Sequence, residues 1–382
     1  MTSGRSVQRR GVLIAGGGTA GHVLPGLSIA RALVAGRRRP EEIRFVGSRR
    51  GQEATLVPEA GFEVRLLPGR GVQRRLSPAS VGAVLGIAAA VVRAFVDLVR
   101  SRPAVVVTLG GYASVPAALA AVVLRVPVVV TEQNARAGAA NRLVGRFARA
   151  AAVAFDDVDL PRTVVCGIPV REAILAVADP AVSPEERRAA GRTALDLPAD
   201  RTVVAVFSGS LGSRSVNEAV AGLAERWSDR ADVAIHHVVG RRDADTYLGT
   251  DRQGEGLHYR VVAYEDRMDQ LLAAADVAVC RAGGSTIAEL SVVGVPAVLV
   301  PLPIATRDHQ RWNAQGLVAA GGARMVLDSD LTVDRLAQEL GELLAEPGRL
   351  EQMAAAARTL GHRDAAEQIA RLVEDVASGA RR

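Results

Sequence analysis

Val12-Leu13-Ile14-Ala15-Gly16-Gly17-Gly18-Thr19-Ala20-Gly21-His22 is the stretch on which the reading of this chain turns. Four consecutive apolar residues suit a strand buried on both faces, and the glycines that follow at once end it in a tight turn. A helix is expected from His22 to Ala35. Glycines let a backbone approach a ligand closely, and a helix N-terminus offers unpaired N–H groups to an anion. The spacing also satisfies G-x-G-x-x-G. A dinucleotide site would want an acid at the end of the second strand, where Gly47-Ser48-Arg49-Arg50 stands instead; the arginines would suit a 2′-phosphate. His22 falls at the loop–helix junction, where the positive helix end favours a neutral imidazole able to accept a proton. Hydrogen bonding to its own loop is the alternative.

Outward from this turn the first half alternates apolar runs with helical stretches. Strands are expected at Val12–Ala15, Ile43–Val46, Val64–Leu67, Val105–Thr108, Val128–Thr131 and Ala152–Phe155. Helices fall between them at Gln52–Ala60, Ser80–Arg100 and Val115–Leu124. The second half repeats the plan, with strands at Val203–Phe207, Val233–His237, Tyr259–Val262, Val277–Cys280 and Ala297–Val300. Its helices are Ser213–Trp227, Arg267–Ala275, Thr286–Val293 and His309–Ala320, followed by amphipathic helices from Pro347 to about Ala377. Such alternation predicts an α/β protein of two Rossmann-like, doubly wound parallel-sheet domains facing across a cleft. Val165-Cys166-Gly167-Ile168-Pro169-Val170-Arg171 leaves a strand through glycine and proline and reads as a hinge. Ser183-Pro184-Glu185-Glu186 carries a serine cap, proline at the first helical position and glutamate at the third, a good helix start.

Composition agrees. The 382 residues exceed one ordinary core, and 49% are apolar. A net charge of +6 favours anionic partners such as phosphates or an acidic membrane. Two distant cysteines, Cys166 and Cys280, argue against a disulfide framework or zinc site and for a reducing compartment. The basic residues before Arg10 have no signal-peptide core behind them. Val81–Val92 is free of charge but short of the roughly 20 residues that span a bilayer, so no transmembrane helix is expected.

Further chemistry sits at strand ends. Gly110-Gly111-Tyr112-Ala113-Ser114 and Glu132-Gln133-Asn134 follow two strands of the first half, where polar groups could hold sugar hydroxyls or a diphosphate; Asn134 could equally cap a helix. In the second half, Ser208-Gly209-Ser210-Leu211-Gly212-Ser213 is another candidate phosphate cradle. Arg281 through Glu289 adds a Gly-Gly-Ser-Thr helix opening, with Glu289 about one turn in, suited to clamping a ribose. Asp308 through Asn313 begins another helix beside the same strand ends.

In this order, the runs Gly17–His22, Gly110–Tyr112, Glu132–Asn134, Gly167 with Pro169-Val170-Arg171, Gly209-Ser210, Gly283–Glu289 and Gln310 with Asn313-Ala314 resemble the MurG family of GT-B glycosyltransferases. The resemblance runs from Val12 to about Ala314. It implies inverting transfer of N-acetylglucosamine from UDP-GlcNAc to the muramyl 4-hydroxyl of lipid I, an undecaprenyl-linked muramyl-pentapeptide, giving lipid II for peptidoglycan. Glu289 would bind the ribose, while Gly284, Ser285, Thr286 and Ser210 would lie near the diphosphate and Gln310 near the sugar. Arg171 matches a donor-contacting position, and Glu265 would meet the uracil through its backbone. Thr19, Ala20, Gly21 and Asn134 would also serve the donor. Gly17, Gly18 and Tyr112 would serve the acceptor, with His22 the candidate base. No cofactor, metal or nucleic acid is implied, since UDP-GlcNAc is a substrate; Asp243-x-Asp245 lies in a loop outside the motifs. The resemblance also implies peripheral attachment to the cytoplasmic face of the membrane, for which Arg70, Arg74, Arg75 and Leu76 before the Ser80 helix are suited.

The domains expected are 1–166 and 167–361, with a C-terminal helix over about 362–382 packing back on the first. Ala20, Thr131, Ile168, Ser208 and Leu211 depart from residues common in the family, leaving room for an altered acceptor. The rivals are a GT-B enzyme with another lipid or natural-product acceptor, an NADP oxidoreductase, a sugar-nucleotide 2-epimerase and a non-catalytic paralogue.

Overall fold

The computed structural model describes residues 11–18, 20–49, 51–67, 78–111 and 114–379, the side chains of 20, 78–88 and 306 aside. The chain divides into two compact units, with the seam between Val170 and Arg171 and a return to the first unit at Asp364.

The first unit carries a seven-stranded parallel sheet: β1 Val12–Ala15, β2 Ile43–Ser48, β3 Glu63–Leu67, β4 Val105–Thr108, β5 Val128–Glu132, β6 Ala150–Val153 and β7 Thr163–Val165. Their order is β3-β2-β1-β4-β5-β6-β7. Strand order therefore reverses between β1 and β4, which pair in register from Val12 opposite Val105 to Ala15 opposite Thr108. Ligands of open α/β sheets bind beyond the carboxyl ends of the strands at such a reversal. Alternate residues of β1 enter different cores. Val12 and Ile14 pack with the Ala20–Ala35 helix and with Ile369 and Val373 of the Ala365–Ser378 helix. Leu13 and Ala15 pack on the other face with Ala94 and Leu98 of the Pro78–Ser101 helix and with Ala117 and Ala121 of the Ser114–Val123 helix. Helices on both faces are why the strands are apolar throughout.

The second unit repeats the topology with β8 Thr202–Phe207, β9 Val233–Val238, β10 His258–Val262, β11 Val277–Cys280, β12 Ala297–Leu299 and β13 Ala323–Met325, ordered β10-β9-β8-β11-β12-β13. Its reversal lies between β8 and β11, again parallel neighbours. Leu336, Leu340 and Leu343 of the Val333–Ala345 helix close one face of the core.

Four details differ from the sequence reading. The sixth strand is Ala150–Val153, two residues earlier than expected, because Ala150 to Ala152 pair with β5 while Ala154 to Asp156 already turn away. Strands β7 and β13 are three-residue edges with partly exposed residues, too short to leave a period. Small helices at Ala139–Gly145 and Glu172–Val177 were not anticipated. Asp243 precedes a one-turn helix, Ala244–Tyr247, rather than standing in open loop. The serine start at Ser183 is as read: Ser183 Oγ accepts the Glu186 N–H at 3.2 Å, and Glu186 Oε2 accepts the Ser183 N–H at 3.1 Å.

Candidate functional site

In the first unit the turn after β1 runs through Gly16, Gly17 and Gly18 at φ of 148°, 143° and 101°, a region that disfavours any Cβ. A Cβ on Gly16 would lie 2.7 Å from Leu109 Cβ. The helix begins at Ala20, so His22 sits in its first turn, half-buried. Pro25 offers no N–H to the Gly21 carbonyl one turn back, which frees a backbone acceptor beside His22. Gly110, at φ 82°, follows β4; its Cβ position is 3.6 Å from His22 Nε2 and 3.2 Å from Asn141 Nδ2. Glycine there lets the imidazole and this amide converge. Thr19 and Tyr112 lie outside the described residues, as do Arg70, Arg74, Arg75 and Leu76.

Glu132 at the end of β5 is buried and fully engaged. Oε1 accepts from the Asn134 N–H at 3.0 Å and Nδ2 at 3.1 Å; Oε2 accepts from the Gly138 N–H and from Asn141 Nδ2, both at 2.9 Å. It folds the 133–138 loop and sets Asn134. Asn141 Nδ2 also donates to Thr131 O at 2.9 Å. With both amide hydrogens on acceptors, the orientation of Asn141 is fixed, and its buried Oδ1 has no partner. Sequence reading missed Asn141, which lies on one of the unanticipated short helices. It also missed Glu53. That residue is 1% exposed, and its carboxylate accepts the Gly18 and Ser48 N–H groups at 2.7 and 2.5 Å.

In the second unit the 208–212 turn is held by backbone packing. Gly212 and Gly240, at φ 77° and 85°, lie so close that a Cβ on either would strike the other's chain. Ser210 is exposed on this turn, and its carbonyl accepts the Arg241 N–H. Ser213 caps the Arg214–Arg226 helix and accepts from Arg281 at 2.6 Å; Arg281 also meets Asp328 at 2.6 Å and the Val300 and Pro301 carbonyls at 3.1 Å. One guanidinium thus ties the ends of β11 and β12 to the turn after β8.

Gly283 caps the Gly284–Val293 helix without a side-chain partner, leaving the Gly284, Ser285 and Thr286 N–H groups without acceptors inside the helix. Glu289, on the same helix, accepts from Arg171 Nε at 3.0 Å through Oε1, and Arg171 Nη2 lies 3.0 Å from the same oxygen as an ion pair. Burial pushes the Glu289 carboxyl above its ordinary value, against the pull of Arg171. Gln310 Oε1 accepts from Ala282 N–H at 3.1 Å and Leu302 N–H at 3.0 Å, bridging the loops after β11 and β12. Arg307 and Asp308 just before it adopt left-handed conformations at φ 55° and 53°. Glu265 is nearly buried. Its Oε1 accepts the Arg267 N–H at 2.9 Å and Oε2 lies 3.1 Å from His236 Nε2, whose imidazole holds the carboxyl below its ordinary value. Its side chain therefore shapes the turn. Among the described residues no group of three or more His, Cys, Asp or Glu could hold a metal ion.

The structure brings Gly17, Gly18, His22, Asn134 and Asn141 to the strand ends of the first unit. Arg171, Ser210, Glu265, Gly284–Thr286, Glu289 and Gln310 lie at those of the second. Residues 12–153 match the glycosyltransferase family 28 N-terminal domain and residues 203–369 its C-terminal domain. Two doubly wound units with these domains define a GT-B glycosyltransferase. The chain is 42% identical to the UDP-N-acetylglucosamine–N-acetylmuramyl-(pentapeptide) pyrophosphoryl-undecaprenol N-acetylglucosamine transferase of Nocardia farcinica, over 96% of both chains. It is 41% identical to the enzyme of the same name from a Mycobacterium species, covering 96% of this chain and 95% of that one. The crystal structure of Acinetobacter baumannii MurG superposes with a TM-score of 0.75 at 26% identity, covering 96% and 99% of the two chains. The chain belongs to the MurG family of glycosyltransferases.

Proposed function

We infer that the chain transfers N-acetylglucosamine from UDP-GlcNAc to the muramyl 4-hydroxyl of lipid I, releasing UDP and forming lipid II. Full-length similarity to transferases of that name carries the reading, and the geometry of each unit is suited to its part. On the second unit, Glu289 takes the ribose hydroxyls, with Arg171 keeping a buried carboxylate charged. The Gly284, Ser285 and Thr286 N–H groups and Ser210 meet the diphosphate as charge develops on the departing UDP, a task helix N-termini perform without a metal. Gln310, its carbonyl anchored, turns its amide hydrogens to the sugar, and the Glu265 backbone faces the uracil. On the first unit, the acceptor lies over Gly17 and Gly18 beside Tyr112. His22 removes the 4-hydroxyl proton as oxygen attacks the anomeric carbon with inversion. Thr19, Ala20, Gly21 and Asn134 complete the donor contacts. No cofactor takes part.

Radiolabelled transfer from UDP-GlcNAc to a short-chain lipid I analogue tests this. Product from the native protein, lost in both His22→Ala and Glu289→Ala with the fold intact, is the expected result. Absence of product despite UDP-GlcNAc binding would replace the acceptor with another lipid or an aglycone.

No helix among the described residues is long and apolar enough to cross a membrane. The Pro78–Ser101 helix nevertheless exposes Val92, Phe95, Val96 and Val99 along one stripe, with exposed Arg93 and Arg100 nearby. Apolar and basic groups together suit a peripheral seat on an anionic surface at the cytoplasmic face, where the lipid acceptor is presented. Phe95→Asp with Val99→Asp should abolish flotation with phosphatidylglycerol vesicles and leave UDP binding unchanged; flotation that persists would overturn this seat.

A further inference from the structure

Glu53 occupies an unusual place. It is the first residue of the Glu53–Glu59 helix, its side chain is 1% exposed, and among the described residues no cation pairs with it. A buried carboxylate without a counter-charge is costly unless hydrogen bonds replace its water. Here the backbone supplies them. Oε2 accepts the Gly18 N–H at 2.7 Å, and Oε1 accepts the Ser48 N–H at 2.5 Å. Three glycines, Gly17 in the turn after β1, Gly47 near the end of β2 and Gly51 just beyond it, close around the same carboxyl group, and a Cβ on any of them would collide with it. The cradle after β1 is therefore built around an anion belonging to the chain itself.

We propose that Glu53 is a positioning residue for the transfer: its carboxylate is the resident anion of the glycine turn, fixing Gly18 and the turn after β1 next to the helix that carries His22. The acceptor then meets this turn by shape, because the Gly18 N–H is turned inward and a phosphate placed on it would face the carboxylate. The proposal rests on His22 acting as the base. Its physical core, the bond from Gly18 to Glu53, does not.

The test uses Glu53→Gln in the full chain. Glutamine keeps the size of the side chain but offers one carbonyl oxygen to two N–H donors, so its NH2 must oppose one of them. Amide hydrogen exchange comes first because it is independent of activity. Gly18 and Ser48 should be protected in the native protein and should exchange about tenfold faster or more in the variant. Unchanged exchange at both amides would overturn the proposal, whatever the protein catalyses.

Where the native protein transfers GlcNAc, kcat should fall about tenfold or more in the variant, the scale of one charge-assisted hydrogen bond. The KM for UDP-GlcNAc and for the acceptor should stay within about twofold. A lower acceptor KM would show that the carboxylate competes with the acceptor's diphosphate for the turn and would overturn the positioning role. Parallel loss of kcat, donor affinity and thermal stability would reduce Glu53 to a structural residue. Should the variant fail to fold, the native protein still decides: the Gly18 and Ser48 amides, both bonded to the Glu53 carboxylate, should exchange slowly with solvent, and rapid exchange at either would refute the shared carboxylate.

Discussion

Arg171 and Glu289 form the ion pair on which the proposed ribose contact depends. Burial already raises the Glu289 carboxyl, and Arg171 is the influence that lowers it. Arg171→Ala removes that influence, so the carboxyl rises further and less of it is ionised at neutral pH. UDP affinity should fall about tenfold at pH 7 and decline as pH drops, whereas Glu289→Gln should bind weakly with little pH dependence. Calorimetric titration of UDP from pH 6 to 8.5 would show it; a flat profile for Arg171→Ala would refute the charge argument. Gly110→Ala is the matching prediction on the first unit. It would force a methyl group into a left-handed conformation 3.2 Å from Asn141 Nδ2, so transfer should fall by about tenfold or more while the melting temperature moves by a few degrees. At this scale the sequence was half legible. Glu289 and the glycine turns stood out because they follow strands. Glu53 and Asn141 did not, since a polar residue on a short helix looks like an exposed one until the elements around it are placed. The Glu132-Gln133-Asn134 run reads as polar groups able to hold sugar or diphosphate; within it the Glu132 carboxylate accepts from Asn134, Gly138 and Asn141 of its own chain.

Strands read well wherever they are buried on both faces, because four or more apolar residues bounded by glycine admit few other structures. β7 and β13 lacked that signature, being short and partly solvated. β9 was found from its apolar residues although it carries two buried histidines. Asn217 donates to Val239 O and Asp243 at 2.9 and 3.1 Å, so its Oδ1 must accept from His237 Nε2 at 3.1 Å. His237 Nδ1 is then the acceptor for the Tyr259 hydroxyl at 2.9 Å. Burial, reinforced by His236, lowers the His237 pKa to about 3. An ordinary histidine titrates near 6.5, so below that pH the unfolded chain takes up a proton that the folded unit refuses. The stability this histidine confers is present above about 6.5 and lost progressively as pH falls toward 3. Between pH 7 and pH 5 the loss should approach about 2 kcal/mol, and His237→Gln should remove most of that slope. Both tryptophans, Trp227 and Trp312, lie in the second unit, so fluorescence-detected urea unfolding reads this unit alone. Equal acid sensitivity in variant and native protein would assign the slope to other groups.

Across the whole molecule, the two units share one strand order but differ in how their cores are completed. The second closes with helices contiguous in sequence. The first borrows its last helix from the far end of the chain. Ile369, Leu372, Val373 and Val376 of the Ala365–Ser378 helix are at most 8% exposed within the core of the first unit, and Arg38 pairs there with Glu374. Four buried aliphatic side chains are worth about 6–12 kcal/mol at roughly 1.5–3 each, comparable to the entire stability of an ordinary domain. Removing residues 364–382 should therefore unfold the first unit and spare the second, although the deletion lies next to the second in sequence. In the truncated protein, amides of β1, β4 and β5 should exchange rapidly with solvent. Those of β8 and β11 should stay protected, and UDP should still bind while transfer is abolished. Val373→Asp should reproduce the pattern with the chain at full length, because an unpaired charge would sit where native exposure is 0%. Retained protection of β1 in either protein would mean that the first unit is complete without its borrowed helix. Loss of protection in β8 as well would mean that the two units fold only together.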